Sequence, residues 1–268
     1  MRKNLRPAAV ICTVFSLTLS LFAAPASAHF GMVIPSKPTV TEAADSRVDL
    51  ELKFWHPFEN SGMSLAKPVS FKVWSGGEAI DLTGQLLERK IGELSAWGLT
   101  WKAQRPGEYA FVMEPQPYWE PAEDKFIIHY TKAYVDAFGD DEGWNEPLGL
   151  KTEIVPRVKP GGLYAGNAFI GKVLLDGKPV ADGEVEVEWY PGADRKGDAP
   201  AESMVTQVVL TDADGNFVFA PPAAGWWGFA ALNDADFKLK ADGVDKDVEL
   251  GGVLWVYFHE FRPSEAAR

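Results

Sequence analysis

Cysteine is all but absent: the 268 residues hold one, Cys12, and it lies inside an apolar leader. The chain beyond that leader therefore has no disulfide, no thiolate ligand and no cysteine nucleophile. Histidine is scarce too, with only His29, His56, His129 and His259. Basic residues are outnumbered, 26 Lys and Arg against 38 Asp and Glu, for a formal charge of −12. Residues 1–28 carry Arg2, Lys3 and Arg6 and no acidic group, so their removal takes the balance to −15. Such a chain lacks the basic stripe that displaces counterions from phosphates, which argues against nucleic acid as a partner. It also disfavours an anionic membrane surface as the main partner. No second long apolar run is present, which excludes a multi-span membrane protein. HExxH, P-loop and GxSxG elements are missing as well. Disorder is excluded by what is abundant: 46% of residues are hydrophobic and ten are Trp.

The leader has a definite form. Met1 to Arg6 is positive, residues 8–23 (AAVICTVFSLTLSLFA) are apolar, and Pro25 precedes the small-x-small run Ala26-Ser27-Ala28. This predicts a cleavable secretory signal peptide over 1–28 and no integral membrane segment after cleavage. Cleavage after Ala28 makes His29 the first residue. A terminal histidine offers its α-amine and imidazole Nδ1 to one metal, a donor pair suited to Ni, Cu, Co and Zn. The bland alternative is that cleavage happens to fall beside a histidine.

Strand signals dominate the rest, and the expected class is all-β, with two β-sandwich-like domains over 29–157 and 163–260. In 48–58, Val48, Leu50, Leu52, Phe54, His56 and Phe58 alternate with Asp49, Glu51 and Lys53. Residues 68–74, 108–113 and 125–135 read as further strands. Residues 79–97 read as a helical turn or an irregular loop, and Pro115, Pro117 and Pro121 make 114–122 a stiff loop. Pro156, Pro160, Gly161 and Gly162 mark a boundary. Beyond it, short strands alternate with turns such as Asp176-Gly177, as in a sandwich. The stretches GKVLLDGKPVADGEVEVE and TDADGNFVFAPPAAGWWGFAAL resemble the small prealbumin-like or Cna-B-like modules of exported proteins.

The candidate chemistry rests on the histidines. His56 ends an alternating strand beside Pro57, a rigid platform for a ligand and equally a common place for a half-buried structural ring. His129, inside FIIHYTK, is expected to be buried and so to need a metal or a hydrogen-bonded carboxylate. His259 reads first as a strand-end residue beside Glu260. Glu59, Glu114, Glu120 and Glu123 are candidates to orient imidazoles. Asp212 to Asn216 superficially suggests a calcium loop but lacks its later ligands, and reads as a turn. The Trp and Tyr at 118–119, 189–190 and 226–227 are expected in cores rather than in a sugar groove.

The strings AHFGMVIPS (28–36), KFWHPFENSGM (53–63), RPGEYAFVMEPQPYWEPAEDKFIIHYTK (105–132) and GWNEPLGLKTEIVP (143–156) resemble the DUF4198 family of secreted nickel-uptake accessory proteins. The resemblance extends through GLYAGNAFIGKV and GWWGFAAL. It implies a non-enzymatic periplasmic protein that binds Ni2+, or Co2+, and presents it to a membrane nickel/cobalt permease. It carries His29, His56 and His129 over as ligands, with His259 less certain. Two rivals stay open. One is a copper protein with an N-terminal two-histidine brace, and the other is a metal-free adhesion or scaffold module.

Overall fold

The computed structural model describes residues 29–139 and 142–263, and the leader at 1–28 lies outside them. Among the described residues the regular structure is strand, interrupted by four 3-10 turns of three residues each. No described helix is long and apolar enough to cross a membrane.

The sequence alternation becomes a sheet face directly. In the strand Arg47–His56, Val48, Leu50, Leu52 and Phe54 are buried while Arg47 and Asp49 are exposed. Lys53 departs from the pattern, because it is buried on the opposite face. Its ammonium lies 2.8 Å from Glu51 Oε1 and donates to the Tyr190 hydroxyl at 2.9 Å, so the buried charge is partnered. This strand sits in a five-stranded sheet, between the edge strand Phe30–Pro35 and the strand Leu94–Lys102, which continues to Leu87–Ile91.

A ten-stranded sheet forms the middle of the molecule. Its main path runs Gln207–Leu210, Glu184–Tyr190, Gly225–Asp234, Val248–Phe258, Lys125–Ala137, Gly107–Glu114, Ser70–Ser75 and Glu78–Asp81. The closing strand Val248–Phe258 pairs in parallel with Lys125–Ala137, which sets His129 opposite Gly251. Strands from both sides of the 157–163 junction thus share one hydrogen-bonded sheet.

Alternate residues of that sheet feed two cores. On one face Phe71, Phe111, Val135, Val253 and Trp255 pack with Phe30, Met32, Leu50 and Leu52 of the five-stranded sheet. On the other, Tyr134, Val185, Phe229 and Leu254 pack with Ile154, Phe169, Val173 and Phe217 of a four-stranded sheet. The result is all-β, with two sandwich-like packings that share their central sheet. Trp226, Trp227 and Tyr190 are buried in these cores.

Two local expectations are corrected. Residues 79–97 are mostly strand: Leu87–Ile91 and Leu94–Lys102 form a hairpin, with Gly92 in the left-handed region its tight turn requires (φ 60°). The stiff loop at 114–122 contains a short strand, Tyr118–Glu120, bounded by Pro117 and Pro121 and paired with Lys125–Ile127. At 212–216 the turn is confirmed, with the Asp212 carboxylate accepting the Asp214 and Asn216 amides at 2.9 and 2.8 Å.

Candidate functional site

Strand register alone brings two of the four histidines together. Phe30 pairs with Trp55 in the antiparallel ladder, so the residue before Phe30 falls beside the residue after Trp55. Those residues are His29 and His56, and their ring centroids are 4.5 Å apart. Phe54 stacks on the His29 ring at 5.6 Å, and Tyr118 lies 6.3 Å away on another side. His29 Nε2 is 3.1 Å from Glu120 Oε2. Glu120 is itself buried, and its other oxygen accepts the Ala122 amide at 2.9 Å. The short strand between the two prolines therefore delivers a fixed carboxylate to the imidazole.

Burial pushes the His29 pKa below its ordinary value. The neighbouring His56 lowers it further, and Glu120 opposes both. Burial and His56 both favour the neutral ring, and the Glu120 carboxylate facing Nε2 places its hydrogen on that nitrogen. That tautomer leaves a lone pair on Nδ1, the nitrogen nearer the residue's own main-chain amine.

His129 is buried behind this pair, at 2% exposure, with Phe54 edge-on to it at 5.6 Å. Its Nδ1 accepts the Gly31 amide at 3.2 Å. Among the described residues its Nε2 has no hydrogen-bond partner, and it faces Glu249 Oε1 at 3.7 Å. Beneath Phe54, Tyr118 and His129 lies a cavity of about 50 Å³ that Met113 and Ile127 also line.

His259 stands apart from the other three. It lies eight residues beyond Gly251 along an extended segment, roughly 26 Å at about 3.3 Å per residue. There it packs against Tyr257 and Tyr164, with ring centroids 4.9 and 6.3 Å away, and burial lowers its pKa.

Of the four carboxylates singled out in the sequence, Glu120 reaches a histidine ring directly. Glu123 is tied to Lys125 at 2.7 Å but contributes to the field at His29. Glu114 ends its strand opposite Ser70. Glu59 belongs to the turn after His56. Glu249 behind His129 was not singled out, and Phe54 and Tyr118 were read as core residues and not as walls of a histidine site. The available signal was Gly251-Gly252 inside an apolar strand, since glycine there marks a close approach.

Among the described residues, no group of three or more His, Asp, Glu or Cys side chains is arranged to hold a metal ion. The donors that do converge are two imidazoles, with the amine that cleavage after Ala28 would free. Two imidazoles and an amine fit a borderline divalent ion, and they do not form a closed structural zinc site.

Comparison with known proteins gives one family match. The model described as "Domain of unknown function (DUF4198)" matches residues 26–235. No curated protein matches significantly. Similar solved structures include the D0-D1 domain of Intimin, at 14% identity over 86% of this chain and 100% of that one, TM-score 0.26. A two fibronectin type-III domain segment from chicken tenascin is 12% identical over 84% and 97%, TM-score 0.21. The fibronectin(III)-like modules of Clostridium thermocellum CbhA are 9% identical over 88% and 99%, TM-score 0.23. None of these scores reaches that of a shared fold.

Proposed function

The chain belongs to the DUF4198 family, and from that premise we propose that, once it begins at His29, it binds one divalent transition-metal ion. The terminal amine, His29 Nδ1 and His56 are the donors. The observation that carries this reading is the 4.5 Å approach of the His29 and His56 rings, with Glu120 holding His29 by Nε2. Nitrogen donors of this type take Ni2+ and Co2+, and take Cu2+ more tightly. For Ni2+ or Co2+ the ion is cargo, carried in the periplasm to a membrane permease. For Cu2+ the same donors form a two-histidine brace. In each case the protein binds and carries, and catalyses nothing.

A metal-free scaffold is the second reading, favoured by the lack of any three-ligand cluster among the described residues. One experiment separates these readings. The protein is exported with its own leader, its first residue is determined by mass spectrometry, and Ni2+, Co2+ and Cu2+ are titrated separately into the wild type and His56→Ala. The expected result is one equivalent bound by a chain starting at His29, lost in His56→Ala. A chain starting at His29 that ignores all three ions is a scaffold. Uptake of Cu2+ alone identifies copper as the metal.

A further inference from the structure

We infer that His129 is a positioning residue for this site and contributes no ligand to it: it fixes the strand that carries His29. The inference rests on the metal-binding reading above for its consequence, but its geometry stands alone. Gly31 belongs to the edge strand Phe30–Pro35, whose outer side faces no further strand of its own sheet among the described residues. Both polar groups of Gly31 are nevertheless satisfied, by side chains from the sheet opposite. Its N–H donates to His129 Nδ1 at 3.2 Å, and its carbonyl accepts the Trp255 indole N–H at 2.8 Å. The amide bond occupies the Nδ1 lone pair, which assigns the ring's hydrogen to Nε2. Neither nitrogen then presents a lone pair to a metal.

The His129 side chain packs directly on two glycines. A Cβ on Gly251 would lie 2.3 Å from His129 Cδ2 and 2.6 Å from Nε2. A Cβ on Gly31 would lie 2.9 Å from the His129 Cβ and 2.3 Å from Thr131 Oγ1. Glycines on two strands thus form the slot, and the ring in it holds a backbone amide two residues from His29. That tie sets where the His29 imidazole and amine stand relative to His56, the kind of support that positions a ligand without touching the ion.

The test compares His129→Leu, which removes the acceptor, with His129→Asn, whose amide oxygen takes the place of Nδ1. Cu2+ serves as the probe on the protein beginning at His29. His129→Leu is expected to weaken Cu2+ binding about 10–100-fold, and His129→Asn to restore it to within about 3-fold. The nitrogen hyperfine pattern of the bound Cu2+ is expected to stay unchanged in both. Loss of one nitrogen from that pattern, without rescue by Asn, would make His129 a ligand and overturn the inference. Unchanged affinity in His129→Leu would make it neither ligand nor support, and would overturn the inference too. Amide exchange at Gly31 in the metal-free protein reads the tie independently: faster in Leu, protected in Asn. If neither the wild type nor His56→Ala binds Cu2+ while this exchange result holds, the metal reading fails and the tie survives.

Discussion

Trp255 donates its indole N–H to the carbonyl of Gly31 across 224 positions of chain, at 2.8 Å and with the indole fully buried. The same ring meets Phe30 edge-on at 5.9 Å, so the start of the described chain is held by its closing strand. Trp255→Phe keeps an aromatic ring but removes the donor. The Gly31 carbonyl is left unpaired, at a cost of about 1–3 kcal/mol. Thermal unfolding is expected to show Tm lower by about 2–4 °C for each kcal/mol lost. Metal affinity falls with it, because His29 is two residues away.

Glu120→Gln tests the carboxylate on His29. The amide keeps the shape and loses the charge that fixes the Nε2–H tautomer. Affinity for Cu2+ or Ni2+ in the processed protein is expected to drop about 10–100-fold, the usual effect of removing a ligand's supporting group. Competitive titration measures it. An unchanged affinity would mean that Glu120 lies beside His29 without supporting it as a ligand.

The acid limb of stability has a defined sign. His29 has a folded pKa below its ordinary value, chiefly through burial. Its contribution is therefore complete above about 6.5, where both states are neutral. It is lost as pH falls below that value, because the unfolded chain takes up the proton first. Melting curves of the metal-free protein from pH 8 to 5 are expected to fall less steeply in His29→Gln than in the wild type.

Glu186 and Glu188 act in the opposite sense. Burial, then neighbouring carboxylates, push the Glu186 pKa up to about 7. Burial also raises Glu188 to about 7, against the hydrogen bonds from Thr206 and the Phe58 amide. Against the reference of 4.5, their contribution is complete below pH 4.5. It is lost as pH rises toward 7, where the folded state still holds protons that the unfolded chain has released. Glu186→Gln is expected to be more stable than the wild type at pH 8 and to flatten the slope between pH 4.5 and 7. Equal slopes in the two proteins would show Glu186 to be solvated.

What was legible in the sequence, and what was not, follows the range of the interactions. Alternation over Val48 to Phe54 gave the strand and its buried face, because a period of two is a local signal. Asp176-Gly177 gave a hairpin turn, and both residues sit in the left-handed region, at φ 50° and 72°. The hairpin at 87–102 was hidden because its outer strand is exposed and charged, with Leu87 68% exposed, so no apolar face alternates. The parallel pairing of 125–137 with 248–258 leaves no trace in either segment alone. The histidines were visible as candidates, but their partition was not. Register pairs His29 with His56, whereas the engagement of His129 with Gly31 depends on two strands distant in sequence.

The tie between the central sheet and the four-stranded sheet supplies a last prediction. Lys132 and Glu153 are fully buried, with Nζ to Oε2 at 2.6 Å. Burial pushes the Lys132 pKa down and Glu153 opposes it, so the pair survives only as a pair. The Glu153 carboxylate also accepts the Leu148 and Gly149 amides at 3.1 and 2.9 Å. Lys132→Met leaves that carboxylate buried without its cation and is expected to cost about 3–5 kcal/mol in urea unfolding at pH 7. Lys132→Met with Glu153→Leu removes both charges but strands the two amides, so it recovers only part of the loss. Lys132→Met with Glu153→Gln removes both charges and keeps an oxygen for the amides, so it is expected to recover most of it. A loss below about 1 kcal/mol in the single variant would show that water reaches the carboxylate, since only a solvated Glu153 tolerates losing its cation so cheaply.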